Sequence, residues 1–168
     1  MGIKKLTLNI NGQDVQVKTP ADEKLIWILR EYEKHPIADG ALLSDKGRLI
    51  GTKFGCGQGD CGICTVLLNG QSVKACLLPV QSCVGQKIMT VEGLADDDCV
   101  KLAWIKAEMN QCGYCQAGQL MHAKGFLNQN PNPTEAEVVT AMTPILCRCG
   151  TYHKIRKAIC SLSNKCQS

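Results

Sequence analysis

The sequence predicts an α+β protein, a small sheet-and-helix unit followed by a bundle of short helices. Three observations predict it. Two Asn-Gly dipeptides, Asn11-Gly12 and Asn69-Gly70, each lie between short alternating apolar runs in the first half, the pattern of tight hairpins. Beyond Asp98 the apolar period changes from that of a strand to that of a helix. Twelve cysteines in a chain of 168 residues fall largely into short-spaced sets, as if anchoring loops to metal.

The first half reads in order as hairpin, helix and further strands. Leu6, Leu8 and Ile10 alternate with Thr7 and Asn9, and Val15 and Val17 repeat the alternation beyond Asn11-Gly12. Thr19-Pro20 predicts a helix start with proline in the first helical position. Leu25, Ile28, Leu29 and Tyr32 then share one helical face. Residues 65–68 and 72–75 flank the second Asn-Gly turn, and residues 88–91 form a last short strand. This order suits a small α+β domain with a helix lying across one sheet. The acidic, turn-prone stretch 93–98 divides the chain into residues 1–93 and 94–168.

The second half carries four helical stripes. They are Val100, Ala103, Trp104 and Ala107; Ala117, Leu120 and Met121, continuing less cleanly through 124–127; Val138, Val139 and Met142; and Ile155, Ile159 and Leu162. Thr134 and Glu137 form a capping box before the third. Lys154, Arg156 and Lys157 lie opposite the last stripe. Four helices of this length imply a compact bundle. The stripes and the two tryptophans read as core rather than as cofactor contacts.

Composition narrows the function. A net charge of +4 from 19 basic and 15 acidic residues, well mixed, gives no basic arm for nucleic acid. No apolar run is long enough to span a membrane. The opening residues show no signal core and no twin-arginine pair. The expected compartment is therefore the cytoplasm, or the periplasm by export with a signal-bearing partner. Thiols in such a chain stay reduced and bind metal rather than form disulfides.

Cys56, Cys61 and Cys64 are spaced C-x4-C-x2-C, with Cys76 beyond the hairpin. That is the plant-type [2Fe–2S] ligand spacing. The glycines of the 54–62 loop support it, because a chain wrapped round a cluster turns its N–H groups inward through dihedrals that a Cβ disfavours. A zinc knuckle on Cys61 and Cys64 would leave Cys56 and these glycines without a role. Cys112 and Cys115 form a C-x2-C pair before one helical stripe, and Cys147 and Cys149 a C-x-C pair before another. Two helix starts would converge these four thiolates where N-terminal dipoles favour negative charge. Spacing alone leaves zinc open at this second quartet.

The segments 111–118 (Gln-Cys-Gly-Tyr-Cys-Gln-Ala-Gly) and 146–150 (Leu-Cys-Arg-Cys-Gly), together with the first motif, resemble the small iron–sulfur subunit of the xanthine oxidase family of molybdenum hydroxylases. The resemblance covers essentially the whole chain and fills all eight ligand positions. It implies an N-terminal ferredoxin-like β-grasp domain and a C-terminal four-helix [2Fe–2S] domain. It also implies a cluster on Cys56, Cys61, Cys64 and Cys76, and a second on Cys112, Cys115, Cys147 and Cys149. Gln111 matches the family's pterin-contacting glutamine and would place the pterin beside Cys112; the plainer reading is a surface or helix-capping residue. The implied function is electron transfer within an oxidoreductase complex, with no substrate-converting site in this chain. Electrons would run from a molybdenum–pterin centre (of the molybdopterin cytosine dinucleotide type) in a large partner subunit to a cytochrome c or FAD subunit.

Where many members read Cys-Arg-Cys-Thr-Gly-Tyr, this chain has Gly150-Thr151-Tyr152 after Cys149. This is similar to the isoquinoline 1-oxidoreductase and bacterial aldehyde dehydrogenase type. A further departure is an insertion of roughly a dozen residues at 35–48, long for a loop in a compact domain, which reads as a partner contact or as surface decoration. Cys83, Cys99 and Cys160 read as small buried hydrophobes, and Cys166 as exposed. His35, His122 and His153 are isolated. The sequence leaves two other readings open, a free-standing two-cluster redox carrier and a zinc-stabilised interaction module.

Overall fold

A computed structural model describes residues 2–30, 49–109 and 111–163. The strands are β1 (Ile3–Ile10), β2 (Gln13–Pro20), β3 (Thr65–Leu68), β4 (Gln71–Lys74) and β5 (Lys87–Met89). The helices are α1 (Leu25–Arg30), α2 (Cys99–Lys106), α3 (Gln116–Gln129), α4 (Glu135–Met142) and α5 (Tyr152–Cys160). Together they form a mixed α+β structure around one five-stranded sheet of order β2-β1-β5-β3-β4.

Both Asn-Gly hairpins form. Asn11 and Gly12 have φ of 52° and 82°, and Asn69 and Gly70 have 50° and 82°. Positive φ at both central residues gives the turn whose twist matches the flanking strands. β5 closes the sheet from within, parallel to β1 and antiparallel to β3.

The helix expected at Thr19-Pro20 starts later. Thr19 and Pro20 instead pair with Lys4 and Ile3 as the end of β2. β2 is an edge strand, where proline is tolerated because its missing N–H can face away from the ladder. α1 begins at Leu25 and buries Leu25, Ile26, Ile28 and Leu29. Tyr32 and the insertion at 35–48 lie outside the described residues.

Successive strand residues point to opposite faces, and β3 uses this to separate two cores. Val66 joins Leu8, Val17, Ile28 and Ile88, together with the buried Cys64 and Cys76. Leu67 joins Val100, Trp104, Met121, Val138 and Ile159 on the helical side. α3 lies directly on β3 and β4. A Cβ at Gly125 of α3 would sit 2.8 Å from the backbone N of Ser72, so the close approach requires glycine.

Local sequence signals set the helix ends. Asp98 accepts from the N–H groups of Val100 and Lys101 at the start of α2, and its other oxygen meets Lys124 Nζ at 2.7 Å. The capping box of Thr134 and Glu137 forms on α4. Cys83 is fully buried and Cys160 partly buried against the helical core, whereas Cys99, packed on the same core, is disulfide-bonded and so departs from the expectation that the thiols stay reduced. Cys166 lies outside the described residues. No helix among the described residues is long and apolar enough to cross a membrane.

Candidate metal centres

The first cysteine loop is held at its entrance by Phe54, whose ring packs on Trp27 of α1 with centroids 4.6 Å apart. Gly57, Gly59 and Gly62 then take φ of 75°, 91° and 65°, dihedrals that glycine adopts at little cost. The turns aim backbone N–H groups at sulfur. Cys56 N–H donates to Cys61 Sγ and Cys61 N–H to Cys56 Sγ, both at 3.4 Å. Cys76 N–H donates to Cys64 Sγ at 3.5 Å. A Cβ at Gly55 would stand 2.7 Å from Cys61 Sγ, so only glycine leaves that sulfur its space.

The four thiols are thus arranged as two pairs, Cys56 with Cys61 and Cys64 with Cys76. Only Cys56 is exposed. The Cys61 N–H at its sulfur, helped by further backbone N–H groups, draws the Cys56 thiol down to about 7. Burial pushes Cys64 up to about 12. A buried thiol of that kind ionises readily only with positive charge beside it, which is what a metal ion supplies.

The second quartet sits at two helix starts, as its spacing predicts. Cys115 is the N-cap of α3, and Cys149 lies two residues before Thr151, the N-cap of α5. Cys115 is buried and held up at about 12, first by burial and then by the neighbouring Cys147 and Cys112. Burial also opposes ionisation of Cys147, yet the hydroxyl and N–H of Thr151, with Cys115 and the Cys149 N–H, bring it below the ordinary thiol range. Cys147 N–H donates to the Tyr152 hydroxyl at 2.6 Å. Gln111 is exposed and donates through Nε2 to the Cys149 carbonyl at 3.3 Å. Cys112, Gly113 and Gly150 are exposed.

Among the described residues, no three side chains of the metal-binding types gather round one ion position. The pairwise arrangement suits a two-iron cluster, in which four thiolates are shared by two irons. The donor types fit such a cluster: thiols, with backbone N–H groups turned toward sulfur at Cys56, Cys61, Cys64 and Cys147.

Direct contacts join the two loops. Leu146 N–H donates to the Cys61 carbonyl at 2.9 Å, and the Tyr114 hydroxyl donates to the Phe54 carbonyl at 2.6 Å. A Cβ at Gly118 of α3 would fall 2.5 Å from the carbonyl oxygen of Ile63, between Cys61 and Cys64. Tyr114, Gly118 and Leu146 lie inside the motif segments and Thr151 just beyond them, but the sequence does not show what each one touches. Tyr114, Gly118 and Leu146 meet partners elsewhere in the chain, and Thr151 meets Cys147, four residues before it.

Comparison with known proteins agrees with this geometry. Residues 90–160 match the family described as [2Fe-2S] binding domain. The alpha subunit of isoquinoline 1-oxidoreductase from Brevundimonas diminuta is 43% identical over 153 residues, covering 89% of this chain and 91% of that protein. The small FeS subunit of nicotinate dehydrogenase from Eubacterium barkeri is 35% identical over 164 residues, covering 96% of each chain. The crystal structure of quinoline 2-oxidoreductase from Pseudomonas putida 86 superposes with a TM-score of 0.81 at 32% identity, covering 97% of this chain and 94% of that one. Fold and site thus define a [2Fe–2S] component of an oxidoreductase. The chain belongs to the iron–sulfur subunits of the xanthine oxidase family of molybdenum hydroxylases.

Proposed function

We propose that this chain holds two [2Fe–2S] clusters, one on Cys56, Cys61, Cys64 and Cys76 and one on Cys112, Cys115, Cys147 and Cys149. Residues 1–93 would form the ferredoxin-like β-grasp unit and residues 94–168 the four-helix unit. When bound, the clusters would supply one-electron exchange, linking a molybdenum–pterin centre in a large partner subunit to a cytochrome c or FAD component.

The observation that carries this reading is the direct hydrogen bond between the quartets. The Leu146 N–H on the Cys61 carbonyl gives a short, rigid connection from one set of thiols to the other. Cys56 and Cys112 are the exposed thiols of the two quartets, so each quartet has one thiol open to a partner. Gln111, exposed and tied to the Cys149 carbonyl, would meet the pterin beside Cys112.

Iron and acid-labile sulfide analysis of the purified protein, with visible and EPR spectra, tests the reading. About four irons per chain and two distinct signals after reduction are expected from two two-iron clusters. A colourless, zinc-loaded protein would overturn it. Co-purification with a molybdenum-containing chain tests the partner, and a stable two-cluster protein that binds no such chain would favour a free-standing carrier.

A further inference from the structure

Thr151 stands at the N-cap of α5, where a threonine hydroxyl ordinarily accepts from an N–H of the first turn. Here the side chain caps nothing. Its Oγ1 lies 3.1 Å from Cys147 Sγ, and its backbone N–H reaches the same sulfur at 3.5 Å. The residue is 2% exposed, so solvent does not serve the hydroxyl.

The neighbours determine which way the hydroxyl proton points. The indole N–H of Trp104 can only donate, and it lies 3.0 Å from Gln116 Oε1. That orients the amide, with its oxygen toward Trp104 and its nitrogen toward Thr151. Gln116 Nε2 donates to Thr151 Oγ1 at 3.4 Å. The hydroxyl thus accepts from the amide and keeps its own proton for Cys147. A line of donors, Trp104 to Gln116 to Thr151, ends on one sulfur. Its members come from α2, α3 and the start of α5, so the packed bundle holds it in register.

We propose that the Thr151 hydroxyl, oriented by Trp104 and Gln116, sets the reduction potential of the cluster on Cys112, Cys115, Cys147 and Cys149 by donating to Cys147 Sγ. This rests on the assignment of those four thiols to a cluster. Reduction adds one electron to that cluster from a one-electron reductant, breaks no bond and moves no proton. The added negative charge spreads onto sulfur, where a buried donor stabilises it, so the hydroxyl raises the potential. At the first quartet, Cys56, Cys61 and Cys64 accept from backbone N–H groups. A side-chain donor on Cys147 therefore sets the two sites apart.

Redox titration of the purified complex, followed by EPR, separates the two clusters and tests the proposal with Thr151→Val, Thr151→Ser and Gln116→Met. Thr151→Val keeps the shape and removes the donor. One midpoint should fall by the equivalent of about a tenfold loss in the one-electron equilibrium constant, or about 59 mV, with the other unmoved. Thr151→Ser should restore it, and Gln116→Met should give a smaller fall at the same cluster. Gln116→Met tests the same hydroxyl from outside the cysteine loop, so the proposal stays open to disproof if Thr151→Val fails to assemble. An unmoved midpoint in a variant that retains both signals would overturn it, as would equal shifts at both clusters. If Cys115→Ala leaves every cluster signal of the wild-type complex in place, the assignment of the second quartet fails and the proposal falls with it.

Discussion

Leu146 donates its backbone N–H to the carbonyl of Cys61 at 2.9 Å, so the residue preceding Cys147 is hydrogen-bonded to a cysteine of the other quartet. Gly62 presses against the same segment, where a Cβ would meet the Pro144 carbonyl and Ile145 at 2.8 Å. Neither loop can shift without the other. The same contacts that stabilise the join between sheet and helices also bring the two sets of thiols together.

Removing one thiol from each quartet should separate their contributions. Cys61→Ala and Cys115→Ala are each expected to lower the iron content from about four to about two per chain, leaving the other EPR signal in place. Iron analysis that finds full loading in either variant would contradict the ligand assignment.

Gly118→Ala should loosen the join. Its Cβ would stand 2.5 Å from the Ile63 carbonyl and 2.9 Å from that of Gly62. Backbone atoms cannot swing aside as a flexible side chain can, so α3 must move off the loop. Overpacking of this kind costs about 1–3 kcal/mol. A lowered melting temperature with faster loss of iron to a chelator is the expected result, and unchanged values would show that the loop yields freely.

The capping box on α4 is testable by mutation and by pH. Thr134→Ala should cost about 1 kcal/mol, read from denaturant unfolding. The Thr134 N–H and hydroxyl hold the Glu137 carboxyl below its ordinary value. A depressed folded-state value means that this stabilisation is present above the ordinary carboxylate value of 4.5 and lost as pH falls through the folded one. Glu137→Gln should remove that portion of the acid dependence, and an unaltered acid limb would argue against it.

His122 should resist protonation. Burial lowers its pKa from the ordinary 6.5, against the opposing effect of the Ala141 carbonyl, which accepts from Nε2 at 2.8 Å. The neutral ring then contributes stability that is complete above 6.5 and lost as pH falls through the depressed folded value. An NMR titration that places the His122 midpoint at or above 6.5 would refute this.

What could be read from the sequence was what neighbouring residues decide. The two Asn-Gly turns and the Thr134–Glu137 box depend on residues at most a few positions apart, and they formed as expected. Thr19-Pro20 misled because its fate depends on a distant strand: pairing with Ile3 and Lys4 overrides the local helix signal. The α+β class followed from the change of apolar period. The eight thiols proposed as ligands were picked out by spacing and family resemblance, because within each short motif they lie close in sequence.

The tertiary structure decided what meets those thiols. Trp104, Gln116 and Thr151 come from three helices and form one donor line only when the bundle is packed. Gly118 closes the 111–118 segment, and the reason for a glycine there appears only where the Ile63 carbonyl fills the space. Spacing along the chain determines which residues can hold a metal. The contacts that join such sites, Leu146 with Cys61 and Tyr114 with Phe54, are made between residues far apart in sequence. So are those that orient Thr151 through Gln116 and Trp104, and no local pattern can register them.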